Sequence, residues 1–120
     1  MTKKTSPLLA SVKKIVVALD DKKAIHIQVL DMRNLVTYTD FIIVCSGTSA
    51  PHMNALMEHV EEALAVDMKP VYRNSSKDKN WLILDYVDVV VHIFDETTRR
   101  YYDLETLWGD AEKMDLRKII

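Results

Sequence analysis

Apolar and polar positions along the chain switch between a helical and a strand period, and the switches mark its elements. Leu8, Val12, Ile15, Val16 and Leu19 recur at helical spacing, with Lys13, Lys14 and Asp20 off the stripe. That pattern predicts an amphipathic helix over residues 7–20, with Ser6 as its N-cap and Pro7 at its first position. Residues 24–30 alternate, Ile25, Ile27 and Val29 against His26 and Gln28, as a half-buried strand does. After a polar-rich connection over 31–38, Asp40 to Cys45 is a continuous apolar run, which predicts a central strand covered on both faces. Ser46-Gly47-Thr48-Ser49 then turns into a second helix reaching about Asp67, capped by Thr48 or Ser49 and carrying Pro51 in its first turn. Met53, Leu56, Met57, Val60 and Leu64 form its buried stripe. Lys69 to Tyr72 is a brief strand, Arg73 to Asn80 a polar loop, and Trp81 to Phe94 two apolar strands meeting near Asp85–Asp88. A short polar helical turn follows; Asp103 caps a last turn over Leu104–Trp108, which Gly109 can end. The tail from Asp110 to Ile120 extends that helix or frays.

The element order is a mixed α/β plan, read as one domain over residues 1–120 with a core of about 8–110 and a tail of 111–120. If the strands of the step from 41 to 72 run parallel, their crossover is right-handed. A chain of 120 residues can bury about two thirds of its unfolded surface without staples. No apolar run approaches the roughly 18 residues that cross a bilayer, and the amphipathic start is unlike a secretion signal. Cys45 is the single cysteine, which leaves no disulfide framework or cysteine metal quartet and fits a reducing cytoplasm. A net charge of −2 argues against DNA or RNA as the main partner, since a phosphate-gripping surface needs a marked basic excess.

The most enzyme-like feature is the Ser46-Gly47-Thr48-Ser49 turn, because backbone N–H groups at a helix start can hold a phosphate. Nucleotidyltransferases add an Asp-x-Asp pair, whose alternate spacing aims both carboxylates at one metal site. Here Asp85 and Asp88 are three apart, and Asp95 and Glu96 are adjacent, so neither pair shares a strand face. A capped helix start with Asp residues supporting turns is the better account. His52 and His59 share a helix face but sit about 10 Å apart along the axis, too far to share a metal ion. His92 alternates with apolar strand residues, as a hydrogen-bonded strand histidine does. Arg99 and Arg100 beside Tyr101 and Tyr102 have the composition of a base-stacking patch, but Glu96, Asp103 and Glu105 surround them, and surface ion pairs are the default. Both Trp and three of the five Tyr lie between Asn80 and Trp108, a density that builds a core or an interface. For Trp81, composition favours core.

Three stretches carry a resemblance: Asp40-Phe-Ile-Ile-Val-Cys-Ser-Gly-Thr-Ser49, Trp81-Leu-Ile-Leu-Asp-Tyr-Val-Asp-Val-Val-Val-His-Ile-Phe94 and Arg99-Arg-Tyr-Tyr-Asp-Leu-Glu-Thr-Leu-Trp108. Over about residues 8–110 the chain resembles the ribosomal silencing factors, also called Iojap-like. The resemblance implies a nucleotidyltransferase-like topology without the catalytic acids, and no enzyme activity, cofactor or metal. It implies binding to the large ribosomal subunit through its fourteenth ribosomal protein at the intersubunit face. Subunit joining would then be blocked sterically and translation would fall under nutrient limitation, in the cytoplasm and with no membrane or DNA partner. The family's docking Trp carries over onto Trp81, which shifts its reading from core to interface; Asp85, Tyr86 and Asp88 follow by proximity, their carboxylates facing a basic partner. His92, Glu105 and Trp108 also match family positions. Where most members have Glu-Gly before the loop, this chain has Tyr72-Arg73-Asn74, which reverses the charge and removes a glycine turn. Relatives form homodimers, so the resemblance adds a homodimer as a further expectation. The alternatives are a nucleotidyltransferase-like nucleotide-binding protein, active or degenerate, which would bind nucleotide with Mg²⁺ at the Ser46–Ser49 turn, and a direct RNA binder, whose affinity would fall steeply with salt.

Overall fold

The computed structural model describes residues 6–35, 38–74 and 80–119. Its elements are α1 (Ser6–Asp21), β1 (Ile25–Asp31), β2 (Phe41–Ser46), α2 (Ala50–Leu64), β3 (Tyr72–Asn74), β4 (Trp81–Asp85), β5 (Val89–Phe94), α3 (Glu96–Tyr102), α4 (Leu104–Leu107), β6 (Glu112–Lys113) and α5 (Leu116–Ile119). The capping role expected of the Ser6 side chain, and residues 75–79 of the polar loop, lie outside the described residues.

The strands form one mixed sheet in the order β3-β4-β5-β2-β1-β6. β2 and β5 run parallel, and each of the other neighbouring pairs is antiparallel. The sheet is therefore mixed and flanked by helices, as the pattern of apolar runs predicts. β2 sits at its centre, fully buried along its length, which is why Phe41–Cys45 has no polar alternation. β2 and β3 point the same way with β5 and β4 between them, so α2 crosses two strands rather than joining neighbours.

α1 and α2 cover one sheet face. Val12, Ile15, Val16 and Leu19 meet Met53, Leu56, Met57, Val60 and Leu64 there, over Val29, Ile43, Leu82, Leu84 and Val91. The helical stripes read from spacing are thus the core stripes. On the opposite face Leu104 and Trp108 pack on Leu30, Ile42, Val44 and Phe94. Cys45 is free and buried, and burial pushes its thiol up to about 12, which keeps it in the unreactive protonated form.

Three boundaries differ from the sequence reading, two of them because strand pairing overrides local composition. α2 ends at Leu64 rather than near Asp67; the Asp67 and Met68 amides fold back onto the Leu64 carbonyl. The brief strand falls on Tyr72–Asn74 rather than 69–72, because its register is set by Asp85, Leu84 and Ile83 of β4. The tail is built into the sheet: Glu112 and Lys113 pair with Asp31 and Leu30, and Met114 and Leu116 pack against the α1–α2 core. β1 also carries a bulge, with His26 at φ 51° and a register shift between Ile25 and Gln28, so its alternation is interrupted at its start.

Candidate docking face

Side chains alternate across β4 and β5, and the register pairs Trp81 with Phe94, Ile83 with His92, and Asp85 with Val90. These six residues project from the face away from α1 and α2. β3 extends that face with Tyr72 opposite Asp85 and Asn74 opposite Ile83. Arg73 points to the other side, where its Nε donates to Glu61 Oε2 at 2.8 Å, so the Tyr72-Arg73-Asn74 departure makes an edge strand pinned to α2. Towards β3 the face opens: Trp81, Ile83 and Asp85 are half-buried, and Tyr72 is 53% exposed. Tyr38 stands largely exposed near Asp85; partial desolvation of its hydroxyl, and then the Asp85 carboxylate, push that hydroxyl above the usual phenol range.

Trp81 occupies a frame of three rings. Its ring lies 4.9 Å from Phe94, 4.6 Å from Tyr102 of α3 and 5.8 Å from His92, centroid to centroid. Its Nε1–H donates to His92 Nδ1 at 2.9 Å. That bond assigns the neutral histidine tautomer, with the proton on Nε2. His92 is buried, and its Nε2 has no hydrogen-bond partner among the described residues. Burial pulls the imidazole down to about 4, with Asp85 acting weakly the other way. An unmet buried donor costs about 1–3 kcal/mol relative to an apolar residue of similar shape. Trp81 is thus both packed and presented, and the core and interface readings of it are not exclusive.

The hairpin tip holds the other three candidates. Asp85 Oδ1 accepts from the Val87 amide at 2.8 Å, the Asp88 amide donates to Tyr86 O at 2.9 Å, and Val87 stands at φ 75°. A β-branched residue in the left-handed region is strained, and Val87 is also 51% exposed. Asp88 is exposed; its carbonyl accepts from the Asp40 and Phe41 amides, which ties the tip to the start of β2. Tyr86 lies on the α1–α2 side, only 6% exposed, and burial pushes its hydroxyl up to about 12. The structure therefore brings Trp81 and Asp85 onto one face, about 13 Å apart along β4, places Asp88 at the rim and puts Tyr86 beneath.

The Ser46–Ser49 turn is occupied from within. The Gly47 amide donates to Phe94 O, and the Thr48 amide donates to His52 Nδ1 at 2.9 Å. His52 Nε2 in turn donates to Lys22 O at 2.7 Å, and Ser49 Oγ caps the His52 amide. Two amides that a phosphate would need are thus already bonded. Among the described residues, no group of three or more His, Cys, Asp and Glu is placed to hold a metal ion. Gly47 packs tightly on α2: a Cβ there would meet Met53 Cγ at 2.6 Å and the Met53 backbone nitrogen at 3.3 Å. Gly47→Ala is expected to cost about 1–3 kcal/mol through overpacking, measured as a lower urea midpoint; an unchanged midpoint would show that Met53 yields freely.

Arg99 corrects the surface-pair reading. It is buried, its Nε and Nη2 donate to Glu105 Oε2 at 3.2 and 2.7 Å, and its Nη1 donates to Ser46 Oγ at 3.0 Å and Ile25 O at 3.3 Å. It stitches α3 to β2 and to the bulged start of β1. Charge spacing pairs Arg99 with nearby acids but gives no sign of burial; the one legible hint is its place among ring residues at a helix end. Asp95 and Asp103 cap α3 and α4 by accepting from the Thr98 and Thr106 amides.

Comparison with known proteins completes the picture. The family model described as ribosomal silencing factor during starvation matches residues 4–120. A ribosomal silencing factor of Halalkalibacterium halodurans is 34% identical over 106 residues, 86% of this chain and 89% of that one. One from Bacillus subtilis is 36% identical over 100 residues, 82% and 85% of the two chains. A crystal structure of a Chromobacterium violaceum protein superposes with a TM-score of 0.78 at 33% identity, covering 82% of this chain and 83% of that one.

Proposed function

The chain belongs to the ribosomal silencing factor family, and from that premise we propose that its open β3–β4–β5 face docks on the fourteenth protein of the large ribosomal subunit. Ribosome association and regulation of translation come with the family. Occupation of the intersubunit face would bar the small subunit and lower translation when nutrients are short, acting in the cytoplasm as a steric block with no reaction. One observation carries this reading: a half-buried Trp81 held in an aromatic frame, with Tyr72 and Asp85 on the same open face and the exposed Tyr38 near Asp85. Aromatic anchors beside carboxylates suit a basic protein surface, since rings supply contact area and carboxylates supply register. Asp88 reaches the partner from the rim, and Tyr86 serves from beneath by holding the strained hairpin tip. The expected domain is the whole chain, with the 111–119 segment closing the sheet edge far from this face.

Trp81→Ala is expected to weaken binding to purified bacterial large subunits by about 2 kcal/mol or more, roughly 30-fold, in quantitative co-sedimentation. The same variant should let subunits join in a gradient assay where the wild type prevents it. Pelleting of the variant at wild-type levels would exclude Trp81 as the anchor. Loss of joining control without loss of binding would exclude the steric mechanism.

A further inference from the structure

We propose that His92 is the positioning residue of the docking face: it sets the rotation of the Trp81 indole, and its presence in β5 serves docking rather than stability. The inference rests on the docking reading above. Three rings surround Trp81, but stacked and tilted contacts tolerate sliding and rotation. A half-turn about the indole's χ2 keeps much of its stacked area while sending Nε1–H elsewhere, because that torsion has broad, nearly two-fold wells. The 2.9 Å bond to His92 Nδ1 is the directional contact that separates the two orientations.

A second observation points the same way. His92 stands in a strand whose other residues are all apolar and buried, and its Nε2–H is left unmet among the described residues. For stability alone an apolar side chain would serve better at this position. What the imidazole adds is the acceptor at Nδ1. Using the indole's single donor internally also leaves Trp81 with an apolar outer edge, so the partner is met by stacking, aliphatic or cation–π contact rather than by a hydrogen bond to the ring. Such an arrangement exchanges some stability for a fixed binding group.

The test compares His92→Leu, His92→Gln and His92→Asn with the wild type and Trp81→Ala. The Asn oxygen falls near the Nδ1 position and keeps the acceptor; Leu lacks one, and Gln carries its amide near Nε2 instead. Each is read for affinity to bacterial large subunits and for the Trp81 indole N–H resonance, assigned by its absence in Trp81→Ala. The expected result is about tenfold weaker binding and a displaced, faster-exchanging resonance in Leu and Gln, with Asn within about twofold of wild type on both readouts. Gln keeps the test decisive if Leu does not fold. Wild-type binding by Leu and Gln, or equal loss in Asn, overturns the role of His92. Undiminished binding by Trp81→Ala instead overturns the docking reading itself.

Discussion

Replacing Arg99 with alanine is expected to lower the unfolding free energy by about 3 kcal/mol, roughly 10 °C in melting temperature for a chain of this size. Glu105 would lose both of its guanidinium bonds, and the Ile25 carbonyl and the Ser46 hydroxyl would each lose a donor in a buried region. The penalty arises mainly from those abandoned acceptors, so it should exceed the few tenths of a kcal/mol typical of an exposed pair. Arg99→Lys should fall between, because an ammonium carries the charge but lacks the rigid fork that reaches a backbone carbonyl, a hydroxyl and a carboxylate together. Urea unfolding of both variants decides the matter. A loss below about 1 kcal/mol for Arg99→Ala would mean that the network is no stronger than a surface pair.

Acid should weaken this fold through His92 well before most carboxylates titrate. In the unfolded chain the imidazole takes its proton near 6.5, whereas in the fold burial holds it to about 4. Between those values the unfolded state binds a proton that the folded state refuses, so stability falls as pH falls. The contribution is complete above pH 6.5, declines through pH 5 and is lost as pH passes about 4, a total of about 3 kcal/mol. Protonation would also place a second donor against Trp81 Nε1–H, opening the bond that holds the indole. Urea midpoints measured at several pH values between 7 and 4 should drop more steeply for wild type than for His92→Leu. Carboxylates common to both chains cancel in that comparison. Parallel profiles would mean that His92 is not held neutral by burial.

Much of this molecule is written in its periodicities. The α1 and α2 stripes, the doubly buried β2, the hairpin between Trp81 and Phe94 and the Asp103 cap can all be read from residue spacing, because each depends on local geometry repeated every 3.6 or 2 residues. The family can be read from the Trp81–Phe94 and Arg99–Trp108 strings, and the docking role proposed for Trp81 follows from that resemblance. The bulge at His26, the register of β3 and the capture of 112–113 as an edge strand cannot, since each depends on a partner strand remote in sequence. The same is true of the site. Trp81 and Asp85 share a face by strand alternation alone, but only the hairpin register puts His92 beside Trp81, and only the packing of α3 brings Tyr102 onto the indole. Tyr86, adjacent to Asp85, turns to the opposite face for the same period-2 reason. Burial of Arg99 was hidden most completely: its partners Ile25, Ser46 and Glu105 come from three elements, and a charged residue reads as exposed until the fold supplies acceptors around it.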